Sequence, residues 1–249
     1  MGRRPRVCVL AGPNGAGKTT SAAPLVRDRW GIETFVNADV IAQGLAGFAT
    51  EAVNVTAGRL MLDRLDALAR AREDFAFETT LASRSLLPRL VQMRADGYEV
   101  RVVFVSLPAV ELSLQRVRQR VLAGGHDVPE ATVRRRFARG LANFHRIYRS
   151  VADRSWLLDG SGVPPRLVAD SESGSAIAAP DPDVDEGDPL TRDVVEATAA
   201  GVERARRIHK ALGLPIVIWR DGRPVWVDAE PLAEVPPPPA EPPRAVSRH

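Results

Sequence analysis

Cysteine, lysine and aromatic side chains are scarce in this 249-residue chain. The one cysteine, Cys8, falls in an apolar run near the start, so it reads as a buried, inert thiol rather than a nucleophile. One cysteine and four scattered histidines supply no transition-metal site. No apolar run approaches the roughly 20 residues of a membrane span. The apolar stretch behind Arg3, Arg4 and Arg6 is too short for a signal peptide, and it leads directly into a glycine-rich loop. The chain therefore reads as cytoplasmic, with no membrane contact. Aromatics make up 5% of residues, which leaves little surface for stacking bases and argues against a nucleic-acid partner. The net charge of +3 and pI near 9.6 would otherwise invite one. Among 34 basic residues, however, only Lys18 and Lys210 are lysine, which looks like arginine-rich coding rather than a binding surface. No internal repeat is visible.

What is present begins with Gly12-Pro13-Asn14-Gly15-Ala16-Gly17-Lys18-Thr19-Thr20. This fits the phosphate-binding P-loop, G-x-x-x-x-G-K-[ST], behind a short apolar strand and ahead of a helix. Glycines let backbone N–H groups curl around phosphate oxygens, and the helix start adds positive potential. Lys18 is placed to reach the outer phosphates of ATP or GTP, and the Thr19 hydroxyl to bind Mg²⁺.

Acidic residues follow at the ends of the next strands. Asp39 comes 21 residues after Lys18, at the carboxyl end of a strand over Glu33–Asn37. Ligands of open α/β sheets bind at that edge, so Asp39 is a candidate base for an attacking hydroxyl. The alternative, capping the helix that starts at Val40, ranks second, and both roles are compatible. A long helix over Thr50–Arg72 has Val53, Ala57, Leu60, Leu65 and Leu68 as its inner stripe. The strand Phe75–Phe77 runs into Glu78-Thr79-Thr80, a carboxylate and two hydroxyls suited to a sugar, or else helix-entry chemistry with Ser83. The near-continuous apolar run of Glu99–Leu107 reads as a central strand covered on both faces, and it lacks the acidic end of a Walker B strand.

Arginines gather on the two helices that flank Gly124-Gly125: Arg116 and Arg120 on the first, Arg134, Arg135, Arg136 and Arg139 on the second. They suggest a phosphate-gripping lid, with Arg120 and Arg136 as the leading members and Arg116 behind them. Val110, Leu114, Val117 and Val121 mark the buried stripe of the first helix. Asp127 and Glu130 resemble a capping box for the second.

The catalytic core is expected to end near residue 170. Residues 171–190 read as an acidic flexible linker, 191–230 as a helix plus hairpin, and 231–249 as a proline-rich disordered tail. Val195, Ala199, Val202, Ala205, Ile208 and Leu212 mark the helix's apolar side, and Asp221-Gly222 the hairpin turn. So small a unit is expected to pack back on the core or on a partner.

Together these motifs resemble the zeta toxin family of P-loop kinases. The resemblance rests on the P-loop, Val36-Asn37-Ala38-Asp39, Phe77-Glu78-Thr79-Thr80-Leu81, and Gly124-Gly125-His126-Asp127-Val128-Pro129-Glu130 followed by Arg135-Arg136-Phe137, over residues 6–160. It implies an α/β nucleotide-kinase-like fold with a five-stranded parallel sheet, and transfer of phosphate from ATP or GTP to the 3′-hydroxyl of UDP-N-acetylglucosamine. By that likeness Asp39 matches the general base, Lys18 the phosphate lysine, Glu78 and Thr80 substrate contacts, and Arg120 and Arg136 the phosphate-binding arginines. An antitoxin protein is a possible partner by the same likeness, although no antitoxin segment is recognisable. Two other classes share the loop. A polynucleotide 5′-hydroxyl kinase would need a basic, aromatic-bearing groove, and an ABC-type or regulatory ATPase would need a Leu-Ser-Gly-Gly-Gln-like signature that is not found here.

Overall fold

The computed structural model describes residues 3–45, 51–125, 127–162, 165–172 and 189–227. Apolar β-branched runs separated by amphipathic helices dictate a parallel sheet covered on both faces. The elements run β1 (Arg6–Ala11), α1 (Lys18–Ala22) continuing as a π-helical segment (Ala23–Arg29), β2 (Thr34–Val36), α2 (Ala38–Leu45), α3 (Glu51–Ala71) and β3 (Phe75–Thr79). Then come α4 (Leu87–Ala95), β4 (Glu99–Ser106), α5 (Val110–Leu122), and α6 (Glu130–Asn143) with a π-helical continuation (Phe144–Tyr148) and a last turn, α7 (Arg149–Val151). The chain closes with β5 (Arg154–Asp159), β6 (Arg166–Glu172), α8 (Pro189–Ala211), β7 (Ile216–Arg220) and β8 (Arg223–Val227).

The sheet order is β2-β3-β1-β4-β5-β6. The first five strands are parallel, as expected, and β6 adds an antiparallel edge to β5. Strand alternation splits the core into two layers. Val7, Val9, Phe75, Phe77, Val102 and Phe104 face α3, α4 and the π-helical end of α6. Cys8, Leu10, Ala76, Val103 and Val105 face α1, α5 and α8. Burial pushes the Cys8 thiol up to about 12, so it is inert.

The terminal elements lie on the core. Trp156 donates its indole N–H to the buried Thr191 hydroxyl (2.9 Å), which donates to Asp170 (2.9 Å) and fixes the start of α8 to the sheet. Arg29 pairs with Asp193 and Glu196 on the same helix. Further along, α8 crosses α1 so closely that a Cβ on Gly201 would sit 2.5 Å from the Thr20 carbonyl oxygen. This approach explains a departure from the expected pattern. The buried face of α8 is Thr191, Val194, Ala197, Thr198 and Gly201, small residues that admit a neighbouring backbone, while Ile208 and Leu212 are exposed. Val194 and the half-buried Val195 pack on the core near the start of α8, but the large apolar residues at its far end do not.

Smaller corrections have similar causes. In α3, Met61 takes the inner position between Ala57 and Leu65, and Leu60 is exposed, because spacings of four keep the stripe on one side. Val121 is likewise exposed at the end of α5. The Asp127–Glu130 capping box does not form: α6 starts at Glu130 with Pro129 as its uncapped N-cap residue, and Asp127 accepts the Val128 N–H instead. The linker expected at 171–190 gives its first two residues to β6 and its last two to α8, so β6 passes the boundary expected near 170. Residues 173–188, the tail after 227, and His126 lie outside the described residues.

The hairpin β7–β8 turns at Asp221 and Gly222, both with positive φ, as a tight primed turn requires. It is tied to the core by Arg116 on α5. The Arg116 guanidinium donates to the carbonyls of Gly15 (3.4 Å), Gly160 (2.8 Å), Ser161 (3.3 Å) and Val217 (3.1 Å). Gln119, one turn on, donates to the Pro215 carbonyl.

Replacing Gly201 with alanine should lower unfolding stability by about 1–3 kcal/mol, because a carbonyl must give way. Arg116→Met should cost about 2–4 kcal/mol, since buried carbonyls lose their donors. Both are read as urea midpoints at constant m.

Candidate active site

The loop between β1 and α1 is shaped by neighbours that forbid side chains. Gly12 has φ +139°, and a Cβ there would lie 2.3 Å from the Val105 carbonyl oxygen. A Cβ on Gly15 would meet Arg116 and the Ser113 carbonyl, and the Ser113 hydroxyl donates to the Asn14 carbonyl (2.6 Å). Gly17, left-handed, precedes α1, and no side chain caps that helix. Its first-turn N–H groups thus remain available to an anion. Gly12 and Pro13, expected among the nucleotide contacts, sit buried behind the loop; Asn14 through Thr20 line the cleft in front.

Lys18 is 5% exposed and donates to the Pro13 carbonyl (2.8 Å). Burial pulls its pKa down; Glu78, and then Asp39, oppose that shift. Glu78 comes from the end of β3, where Leu10 of β1 is its register partner. Its carboxylate lies 3.5 Å from the Lys18 ammonium. It also accepts the Thr19 hydroxyl (2.5 Å) and the Asn37 amide (3.0 Å). The acidic strand end missing from β4 is thus supplied by β3, on the other side of β1. This carboxylate is a hub for the loop, a role that its reading as a sugar contact did not include.

Asn37 was not singled out from the sequence, yet it organises the helix entry. Its side-chain oxygen accepts the Asp39 N–H (2.8 Å), the side-chain pattern of an N-cap. The capping role open to Asp39 therefore belongs to Asn37. Asp39, in the first turn of α2, is half-buried on the cleft wall. Among the described residues its carboxylate makes no hydrogen bond, and the charges of Lys18 and Arg136 act on it.

The cleft has a volume of about 820 Å³. Thr79 and Thr80 line it; the Thr79 hydroxyl also accepts the Leu81 N–H (3.1 Å), and the Thr80 carbonyl abuts Gly140 of α6. That contact brings the α6 arginines over the site. Arg136 lines the cleft, with its pKa lowered by burial against the opposing pull of Asp39. Arg120 lines it as well, and its charge reaches Lys18. Arg116 is the correction. Its guanidinium is buried on four backbone carbonyls, and burial brings its pKa down to about 10. It borders the cleft, and its guanidinium is spent on holding the loop and hairpin in place.

Among known proteins, an uncharacterized protein of Haemophilus influenzae (strain ATCC 51907 / DSM 11121 / KW20 / Rd) is 25% identical over 126 residues, 51% of this chain and 88% of that protein. The structure resembles one from the PezAT chromosomal toxin–antitoxin system of Streptococcus pneumoniae, with TM-score 0.55, 16% identity, and coverage of 83% of this chain and 88% of that one. It also resembles the AvrRxo1-ORF1:-ORF2 structure with ATP, with TM-score 0.51, 18% identity, and coverage of 81% and 80%. At these identities the likeness speaks for a shared P-loop NTPase fold. Residues 7–146, more than half of the chain and running from β1 through α6, match the AAA domain family, and the protein belongs to that family.

Proposed function

We propose that this protein is a P-loop kinase that transfers the γ-phosphoryl group of ATP or GTP to a hydroxyl of a small molecule. The observation that carries the reading is the Asp39 carboxylate, free of hydrogen bonds among the described residues, in the same cleft as Lys18, Glu78 and Thr19. A carboxylate poised beside phosphate-binding groups suits a base that takes a proton from an incoming alcohol.

In the proposed step Asp39 accepts the hydroxyl proton as the acceptor oxygen bonds to the terminal phosphorus. The bond from that phosphorus to the bridging oxygen breaks, and the nucleoside diphosphate leaves with the electron pair. Lys18 and the loop amides hold the phosphates in line, while Arg120 and Arg136 offset charge on the group in flight. Thr19 and Glu78 present adjacent oxygens, a donor set that suits Mg²⁺. When bound there, Mg²⁺ would neutralise charge on the outer phosphate oxygens.

The first acceptor to test is UDP-N-acetylglucosamine at its 3′-hydroxyl. The motif resemblance supports it, as does the fold shared with a toxin–antitoxin structure, and the same likeness makes an antitoxin-type partner part of the proposal. Glu78, Thr79 and Thr80 border the acceptor end of the cleft, where Arg59, Arg135 and Arg139 suit an acceptor that carries phosphates of its own. No Phe, Tyr or Trp among the described residues lines the cleft, which disfavours a polynucleotide acceptor.

The test is transfer of labelled phosphate from ATP and GTP to UDP-sugars, nucleosides and RNA ends. Asp39→Asn should lower turnover by about 100- to 10,000-fold and leave nucleotide affinity within about threefold; normal turnover in that variant refutes the base assignment. Glu78→Gln should raise the Mg²⁺ concentration for half-maximal rate by about 10- to 100-fold, measured by metal titration.

A further inference from the structure

We propose that Asn143, the last residue of α6, is a positioning residue for the acceptor: it holds the loop between β3 and α4 in a strained turn and so fixes Thr79 and Thr80 relative to Arg136. This rests on the kinase reading and adds to it a residue that stands outside the cleft wall.

The loop turns on an unfavourable backbone. Leu81 has φ +53°, a left-handed conformation uncommon for a non-glycine residue, and its side chain is buried in the core. Such a residue keeps its conformation only where its surroundings hold it. Its N–H and its C=O are both held by side chains. The Thr79 hydroxyl accepts the Leu81 N–H (3.1 Å), and the Asn143 amide donates to the Leu81 carbonyl (2.7 Å). Thr79, Thr80, Ser83 and Ser85 of the same stretch line the cleft. The turn at Leu81 thus sets where these hydroxyls meet an acceptor.

One helix grips this loop at three successive points. Gly140 abuts the Thr80 carbonyl, Asn143 takes the Leu81 carbonyl, and the buried Tyr148 donates its hydroxyl to the Ser83 carbonyl (2.6 Å). Arg136, Gly140 and Asn143 follow the i, i+4, i+7 spacing of one helix face. Tyr148 is five residues past Asn143 and would leave that face in an α-helix. The turns there are π-helical, Phe144–Tyr148, and i→i+5 bonding stacks residues five apart. The Phe144 ring, stacked on Phe104 with centroids 4.9 Å apart, fixes this segment to the sheet. The face that brings Arg136 to the cleft is therefore the face that carries the acceptor loop. Asn143 is half-buried, so its bond can be removed with little loss of packing.

The experiment uses the full chain with ATP and the best acceptor of the transfer screen, UDP-N-acetylglucosamine first, and adds hydrogen exchange without ligand. Asn143→Leu, similar in size but without a donor, should raise the acceptor KM by about tenfold and leave the KM for ATP within about twofold. Asn143→Gln, which keeps the amide, should recover most of that loss. In the Leu variant, amide exchange across residues 79–86 should quicken by about tenfold, with residues 12–20 unchanged. An unaltered acceptor KM overturns the proposal. A parallel rise in the KM for ATP, the mark of general loosening, overturns it too, as does a Gln variant no better than Leu. Exchange across 79–86 that matches the wild type overturns the grip itself, whether or not turnover is seen. A wild type that transfers phosphate to no acceptor refutes the kinase reading and the acceptor role with it, while the exchange measurement still decides whether Asn143 holds the loop.

Discussion

The structure depends on keeping one ammonium charged while it is buried. Lys18 is almost wholly removed from water, and burial alone disfavours its charge. The Pro13 carbonyl and the Glu78 carboxylate offset that cost. Glu78 can do so only because β3 pairs with β1 in a register that sets it beside Leu10, one residue before the end of the strand. Its oxygens then also fix Thr19 and Asn37. Asn37 in turn holds the N–H of Asp39 and sets the first turn of α2. A single carboxylate thereby links the loop, the helix after it and the strand that delivers the acid. Its removal leaves the buried Lys18 without its counter-charge and the Thr19 and Asn37 donors without their acceptor at once, which is how a small network becomes a strict constraint on the fold.

Close backbone approach is the second constraint, and it acts through glycine at three places. Gly12 lets the loop pass the Val105 carbonyl at the end of β4. Gly140 lets α6 rest on the Thr80 carbonyl, with its Cβ position 2.4 Å from that oxygen. Gly201 lets α8 rest on α1. Each contact joins a helix or strand to the rim of the cleft, so the walls are set by main chain rather than by long side chains. The α6 arginines line the cleft from a helix that is already seated.

Much of this was legible in the sequence where the chemistry is local. The P-loop is one continuous stretch, and the strand-end positions of Asp39 and Glu78 follow from apolar runs that stop there. The near-continuous apolar run of Glu99–Leu107 marked a central strand covered on both faces, and Asp221-Gly222 the hairpin turn. What could not be read depends on which neighbour a side chain meets. Arg116 and Arg120 are four apart on one helix and both border the cleft, yet the Arg116 guanidinium is committed to four backbone carbonyls. Their spacing is blind to that choice. The packing face of α8 differs from its large apolar stripe because its neighbour at Gly201 is the α1 backbone, which a side chain there would exclude. Asn37 stood in plain view beside Asp39, and an Asn just before a helix start is a capping signal. It was overlooked because the strand pattern seemed to extend through it.

The tie at Arg116 gives the remaining mechanical link. Its four acceptors come from the phosphate loop, from Gly160 and Ser161 just after β5, and from β7. The guanidinium is planar and rigid, so these segments share one geometry and a shift of β7 is felt at Gly15. Gly15 cannot yield sideways, because the Arg116 Cβ and the Ser113 carbonyl already crowd it. The terminal helix and hairpin therefore do more than cover apolar surface. They brace the back of the loop from the β5 side, while Glu78 braces its front from the β3 side. A loop gripped from both flanks keeps its amides aimed before any phosphate arrives, and preorganisation of this kind is what electrostatic stabilisation of a transferring group requires.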